Sequence, residues 1–221
     1  MSEEKRWATV DQYITDRLVF QDAALETALV SSQEAGLPAI SVAPNQGKML
    51  HLLARIRGAK SILEIGTLGG YSTIWLARAL PADGHLISLE LHEKNAAVAR
   101  ENLARADVKN AEVRVGRAVD SLQKLHDDQH GPFDFIFIDA DKPSNPDYFS
   151  WALKLSRSGT VIIIDNVVRG GKVVEKSSND PNVEGVRRMN DLIAAEPRVS
   201  ATAIQTVGSK GYDGFAIALV L

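Results

Sequence analysis

From Ser61 onward the chain alternates short apolar runs with amphipathic stretches. The runs at 62–65, 85–91, 112–116, 133–138 and 160–164 are rich in β-branched and aromatic residues and predict strands, several of them buried on both faces. Between them, 70–80, 93–106, 119–125 and 148–155 place apolar residues at helical spacing. Strands alternating with helices predict a mostly parallel sheet with helices on both faces. Upstream, residues 7–36 predict two helices, one through Val10, Ile14 and Leu18 and one through Leu25, Leu29 and Val30, stopped by Gly36 and Pro38. An extended stretch at 40–43 leads into a third helix through Met49, Leu52, Leu53 and Ile56, which ends at Gly58. Downstream of Asp165 the alternation breaks. Residues 169–181 are polar and predict a long mobile loop, and 183–195 a helix. Runs at 201–207 and 215–220 predict two antiparallel strands joined by a turn over 208–214. The expectation is one α/β domain over 1–221, with N-terminal helices at 1–58, a seven-stranded sheet core at 61–221 and a substrate loop at 167–182.

Composition narrows the function classes. Apolar residues make up 45% and charged residues 24% of the chain, which suits a packed core rather than disorder. A net charge of -3 argues against a general nucleic-acid binder, which needs a basic face. The absence of cysteine excludes disulfides, thiolate catalysis and cysteine-ligated zinc. The charged start, Met-Ser-Glu-Glu-Lys-Arg-Trp, lacks the apolar core of a signal peptide, and no apolar run reaches about 18 residues. A cytoplasmic protein without membrane or nucleic-acid partners is expected.

The chemistry gathers at strand ends. Phe-Ile-Phe-Ile-Asp-Ala-Asp-Lys ends a strand on Asp139, and Val-Ile-Ile-Ile-Asp-Asn ends another on Asp165-Asn166. Ligands of open α/β sheets bind beyond the carboxyl ends of their strands. Two acids and a carboxamide there form an oxygen-donor set suited to a hard divalent cation, Mg²⁺ first, Mn²⁺ or Ca²⁺ otherwise. Lys142, three residues after Asp139, is placed to act as a base. A third strand ends in Glu64-Ile65-Gly66-Thr67-Leu68-Gly69-Gly70, a loop that lets backbone approach a ligand. Glu90 ends the next strand, where an acid can accept ribose hydroxyls. The G-x-G-x-x-G spacing of dinucleotide sites is missing. Glu64 would repel a pyrophosphate and attract an ammonium, which points to S-adenosylmethionine.

Together, Glu-Ile-Gly-Thr-x-x-Gly-Tyr-Ser-Thr, Ser-Leu-Glu, Phe-Ile-Asp-Ala-Asp-Lys and Ile-Asp-Asn resemble the cation-dependent O-methyltransferases, a group that includes catechol and caffeoyl-CoA O-methyltransferases and bacterial relatives. The resemblance runs from about residue 40 to the C-terminus, with the motifs in the family's order. It implies a Rossmann-like methyltransferase fold and methyl transfer from S-adenosylmethionine to a hydroxyl of a catechol-like or phenylpropanoid acceptor. It implies that Val42 lies against the methionine part of the cofactor, and that Glu64, Gly66, Thr67 and Ser72 form the first cofactor motif. Glu90 matches the ribose acid and Ala118 the adenine position. Asp139, Asp165 and Asn166 match the metal ligands. Asp139 also counts among the cofactor and catalytic residues, and Lys142 matches the general base. The chemistry is coherent, because a phenol has a pKa of about 10 in water and a chelated cation lowers it.

Two segments depart from the plant relatives: 142–148, with two prolines, and 167–171, which lacks their tryptophan. Both should border the acceptor, so the exact substrate does not transfer. Arg169 and Lys172 are candidates to meet an acidic acceptor, with solvated surface charge as the alternative. Asp141 reads as a supporting or cofactor-side residue. His126 and His130, four apart, could bind zinc on a helix, but Gly131-Pro132 ends that helix and the pair reads as a surface turn. Rival functions are a nicotinamide-dependent oxidoreductase and a non-catalytic binding protein on the same fold. The apolar surface of the N-terminal helices suggests a homodimer.

Overall fold

The computed structural model describes residues 1–221. Three helices, α1 (Glu3–Leu18), α2 (Ala23–Glu34) and α3 (Pro44–Arg57), precede the sheet. The sheet region runs β1 (Ser61–Ile65), α4 (Tyr71–Ala77), β2 (His85–Glu90), α5 (Glu93–Arg105), β3 (Ala111–Val115), α6 (Ala118–Asp127), β4 (Phe133–Ile138), α7 (Asn145–Lys154) and β5 (Ser156–Asp165). Helix α8 (Pro181–Ala195) and the hairpin β6 (Val199–Gly208) and β7 (Gly211–Val220) complete it.

The seven strands lie in the order β3-β2-β1-β4-β5-β7-β6. The five strands β1 to β5 are parallel, and β7 pairs antiparallel with both β5 and β6. Because β2 and β3 lie on one side of β1 and β4 on the other, the loops after β1 and β4 diverge and leave a crevice between them. Strand register brings three chemical ends level. Ile65 pairs with Ile138 and Ile138 with Ile164, so Gly66, Asp139 and Asp165 emerge side by side.

Alternation along the strands sends side chains to opposite faces. Ile62, Phe135, Phe137 and Ile163 join α2 to α5 on one face. Leu63, Ile136, Ile138, Ile162 and Ile164 join α7 and α8 on the other, through Phe149, Val186 and Met189. The fixed ends of β1, β4 and β5 therefore rest on a two-sided core.

Two details differ from the sequence expectation. The hairpin turn shrinks to Ser209-Lys210, because Gly208 and Gly211 pair and the strands extend into the expected turn. Asp11 of α1 accepts from the Ser209 amide at 2.7 Å, which docks that helix on the turn. The polar segment after β5 is not featureless: Lys172–Val174 form a 3₁₀ turn. Arg187 of α8 ties it down, donating to the carbonyls of Val173 at 2.9 Å, Lys172 at 3.3 Å and Glu175 at 2.5 Å. No helix is long and apolar enough to cross a membrane.

Candidate active site

A cavity of about 770 Å³ opens over the carboxyl ends of β1, β2 and β4, within the range of small-molecule sites. Asp139, Lys142 and Asn166 line one part of it. Asp165 sits just behind, 6% exposed, with Oδ2 accepting from Gln46 Nε2 at 2.7 Å and Oδ1 from the Asn166 amide at 2.8 Å. Burial, with the Asp139 charge second, pushes the Asp165 carboxyl well above the usual carboxylate range, and Lys142 partly offsets this. Lys142 is itself buried, and its Nζ donates to Asp139 Oδ1 at 2.9 Å. Asn166 holds a left-handed backbone (φ 59°), a conformation asparagine tolerates better than most residues.

The charges in this corner are acidic in balance. Two carboxylates share a low-exposure corner with a single ammonium, and one of them is held above its normal pKa. The donors present, carboxylate oxygens and a carboxamide, fit a hard divalent ion.

The loop after β1 forms the neighbouring wall, where Gly66, Thr67, Leu68 and Ser72 line the cavity. Gly66 has φ 102°, and a Cβ there would overlap the backbone carbonyl of Asp139, so the cofactor loop and the candidate metal strand pack backbone to backbone. Glu90 reaches the cavity with its carboxylate held from three sides. Its Oε2 accepts from the Leu68 amide at 2.8 Å, and its Oε1 from the His92 amide at 3.0 Å and Asn95 at 3.1 Å. Val42 and Ala118 also line the cavity, on opposite sides of that loop in sequence.

Glu64 lies deeper than the other residues of the first cofactor motif. It is fully buried behind the loop and absent from the cavity wall. Its oxygens accept from the hydroxyls of Ser72 at 2.6 Å, Thr73 at 2.5 Å and Ser88 at 2.6 Å. Burial pushes its carboxyl up to about 7, against the lowering effect of those hydroxyls. Glu64 braces the loop from beneath through these three hydroxyls.

One residue at the site, Gln46, has no sequence signal. Gln46, 119 residues from Asp165, becomes its partner only through the fold. Asp141 caps the 3₁₀ turn Lys142–Ser144, accepting from the Ser144 hydroxyl at 2.6 Å and the Tyr148 hydroxyl at 2.5 Å, and so shapes the segment that carries Lys142. Arg169 lines the cavity, whereas Lys172 does not and is exposed. His126, in the last turn of α6, and His130, beyond its end, are both exposed, and His126 packs edge-on to Trp151.

The chain is similar to known proteins over nearly its whole length. A family profile described as O-methyltransferase matches residues 19–218. A catechol O-methyltransferase of Niastella koreensis is 55% identical over 213 residues, 96% of this chain and 96% of that protein. The crystal structure of an O-methyltransferase from Bacillus cereus in complex with SAH is 60% identical, with a TM-score of 0.97 over 98% of this chain and 99% of that one. The O-methyltransferase TomG from Streptomyces achromogenes, in complex with SAM, is 52% identical with a TM-score of 0.96, covering 100% and 99% of the two chains. The chain belongs to the O-methyltransferase family.

Proposed function

We propose that the protein transfers a methyl group from S-adenosylmethionine to one hydroxyl of a vicinal dihydroxyphenyl or phenylpropanoid acceptor, with Lys142 as general base. The observation that carries the proposal is the buried Lys142 Nζ, 2.9 Å from Asp139 Oδ1, beside Asp165-Asn166 and across from the glycine loop. Relatives that bind SAM or SAH, and one named catechol O-methyltransferase, support the donor and the acceptor class. Family membership favours this reading over a nicotinamide oxidoreductase. The intact Lys142, Asp139, Asp165 and Asn166 favour it over a non-catalytic binding protein.

The residues divide the work. Val42, Gly66, Thr67 and Ser72 take the methionine end of the donor, Glu90 the ribose hydroxyls and Ala118 the adenine side. Asp139, Asp165 and Asn166 would hold a divalent cation, Mg²⁺ above Mn²⁺ or Ca²⁺, which when bound lowers the pKa of a chelated phenol. Lys142, as the neutral amine, takes the proton from the acceptor hydroxyl at Nζ and becomes the ammonium that Asp139 holds. The freed oxygen displaces the methyl from the sulfonium, and opposite charges cancel as the bond forms. Lys142 and Asp165 are themselves buried, and the fixed strand ends supply orientation.

The reading includes a cytoplasmic homodimer. Helix α1 has no fully buried residue and exposes Val10 and Tyr13, and the edge strand β6 it packs on exposes Ile204 and Val207. Such an edge is a ready surface for a second copy.

The direct test is turnover of catechol with labelled S-adenosylmethionine and Mg²⁺, with and without EDTA. Methylated catechol that disappears on chelation is expected. Turnover that survives chelation removes the cation from the reading.

A further inference from the structure

Arg169 is built into the cavity wall at a conformational cost. Its backbone adopts φ 57°, a left-handed conformation unfavourable for a long side chain, although glycines follow at 170 and 171. Asp213, at the start of β7, fixes that conformation: its Oδ1 accepts from the amides of both Val168 and Arg169 at 2.9 Å. The side chain this device presents is only loosely paired. Its ionic neighbour, Asp213 Oδ2, is 3.7 Å from Nη1, too far for a hydrogen bond, and its Nε–H is enclosed without an acceptor. A guanidinium carries five donors and is suited to a planar anion. Asp180 lies close enough to feel the Arg169 charge but forms no ion pair with it. Asn182 of α8 lines the cavity as well and adds a neutral amide.

Arg169 and Asn166 line the same cavity as Asp139 and Lys142, so one bound acceptor can meet all four. From these observations, and resting on the methyl-transfer reading above, we propose that the acceptor is an acidic dihydroxyphenyl compound whose carboxylate is held by Arg169. Its hydroxyls then lie at the Lys142 and Asn166 end, and the carboxylate sets which hydroxyl faces Lys142. Arg169 is a specificity residue in this assignment and takes no part in proton transfer.

The test compares catechol with 3,4-dihydroxybenzoate as acceptors for the wild type, Arg169→Gln and Arg169→Lys. All three side chains meet the same backbone strain, so the comparison isolates the head group. In Arg169→Gln, the ratio of kcat/KM for the acid to that for catechol should fall about ten- to hundredfold, with Arg169→Lys between. Calorimetric binding of 3,4-dihydroxybenzoate to the protein should weaken in the same order. Equal losses on both acceptors, or a raised KM for S-adenosylmethionine in place of the acceptor effect, would overturn the assignment. If the wild type methylates neither acceptor, the methyl-transfer reading fails, and the binding series still decides the role of Arg169.

Discussion

Lys142 Nζ lies 2.9 Å from Asp139 Oδ1 in a corner where the lysine is only 6% exposed. Its chain position follows from the 3₁₀ turn that Asp141 caps, so the amine is delivered by a short rigid segment rather than a loose loop. Lys142→Ala should lower kcat about 10²- to 10⁴-fold, the usual worth of a positioned base, with a small effect on donor affinity. Steady-state kinetics with calorimetric donor binding checks this. An undiminished kcat assigns the proton to another group.

Gly185 lets α8 rest on the Lys142 turn. A Cβ at 185 would overlap the Lys142 carbonyl and crowd Pro143. The next turn of the helix holds both flanking segments, since Arg188 donates to the Pro143 carbonyl at 3.0 Å while Arg187 holds the 172–175 segment. Gly185→Ala should cost about 1–3 kcal/mol in stability by overpacking. It should also reduce kcat more than it raises the donor KM, because the displaced backbone is that of Lys142. Urea denaturation and kinetics on the same variant separate the two effects.

Glu64 gives a pH dependence with a definite sign. Its folded-state carboxyl is pushed up to about 7 from an ordinary 4.5, so between these values the folded chain keeps a proton that the unfolded chain releases. This contribution makes stability fall as pH rises through that window and level off above it. Glu64→Gln should lose that slope, so the difference in unfolding free energy between variant and wild type should shift in the variant's favour from pH 5 to pH 8. Denaturant titrations at the two pH values measure it. A difference independent of pH would mean that Glu64 stays ionised throughout.

The exposed apolar residues of α1 and β6 predict self-association. Light scattering at micromolar concentration should give twice the chain mass, and Ile204→Lys with Val207→Lys should return it to one. A wild-type monomer contradicts the homodimer.

The sheet and the acids that end its strands were legible because a strand buried on both faces leaves an unmistakable apolar run, and a polar residue closing it marks the strand's carboxyl end, where ligands of such sheets bind. Asp139, Asp165 and Asn166 could be named on that ground, and register then brought the strand ends together. Glu64 ends a strand in the same way but turns behind the loop. Its three hydroxyl partners come from positions 72, 73 and 88, and nothing local shows that they converge. Gln46 and Gly185 act through tertiary contacts with Asp165 and the Lys142 carbonyl, which no spacing rule reports. The hairpin boundary was misplaced because the glycines at 208, 211 and 214 read as turn, whereas here they pair within the strands.

The most direct test of the account is diffraction from crystals grown with Mn²⁺, measured for anomalous scattering. A single strong peak bound by the side-chain oxygens of Asp139, Asp165 and Asn166, and lost in Asp165→Ala, is the result expected. No peak at that corner, or a peak held by other residues, would contradict the cation site on which the proposed chemistry rests.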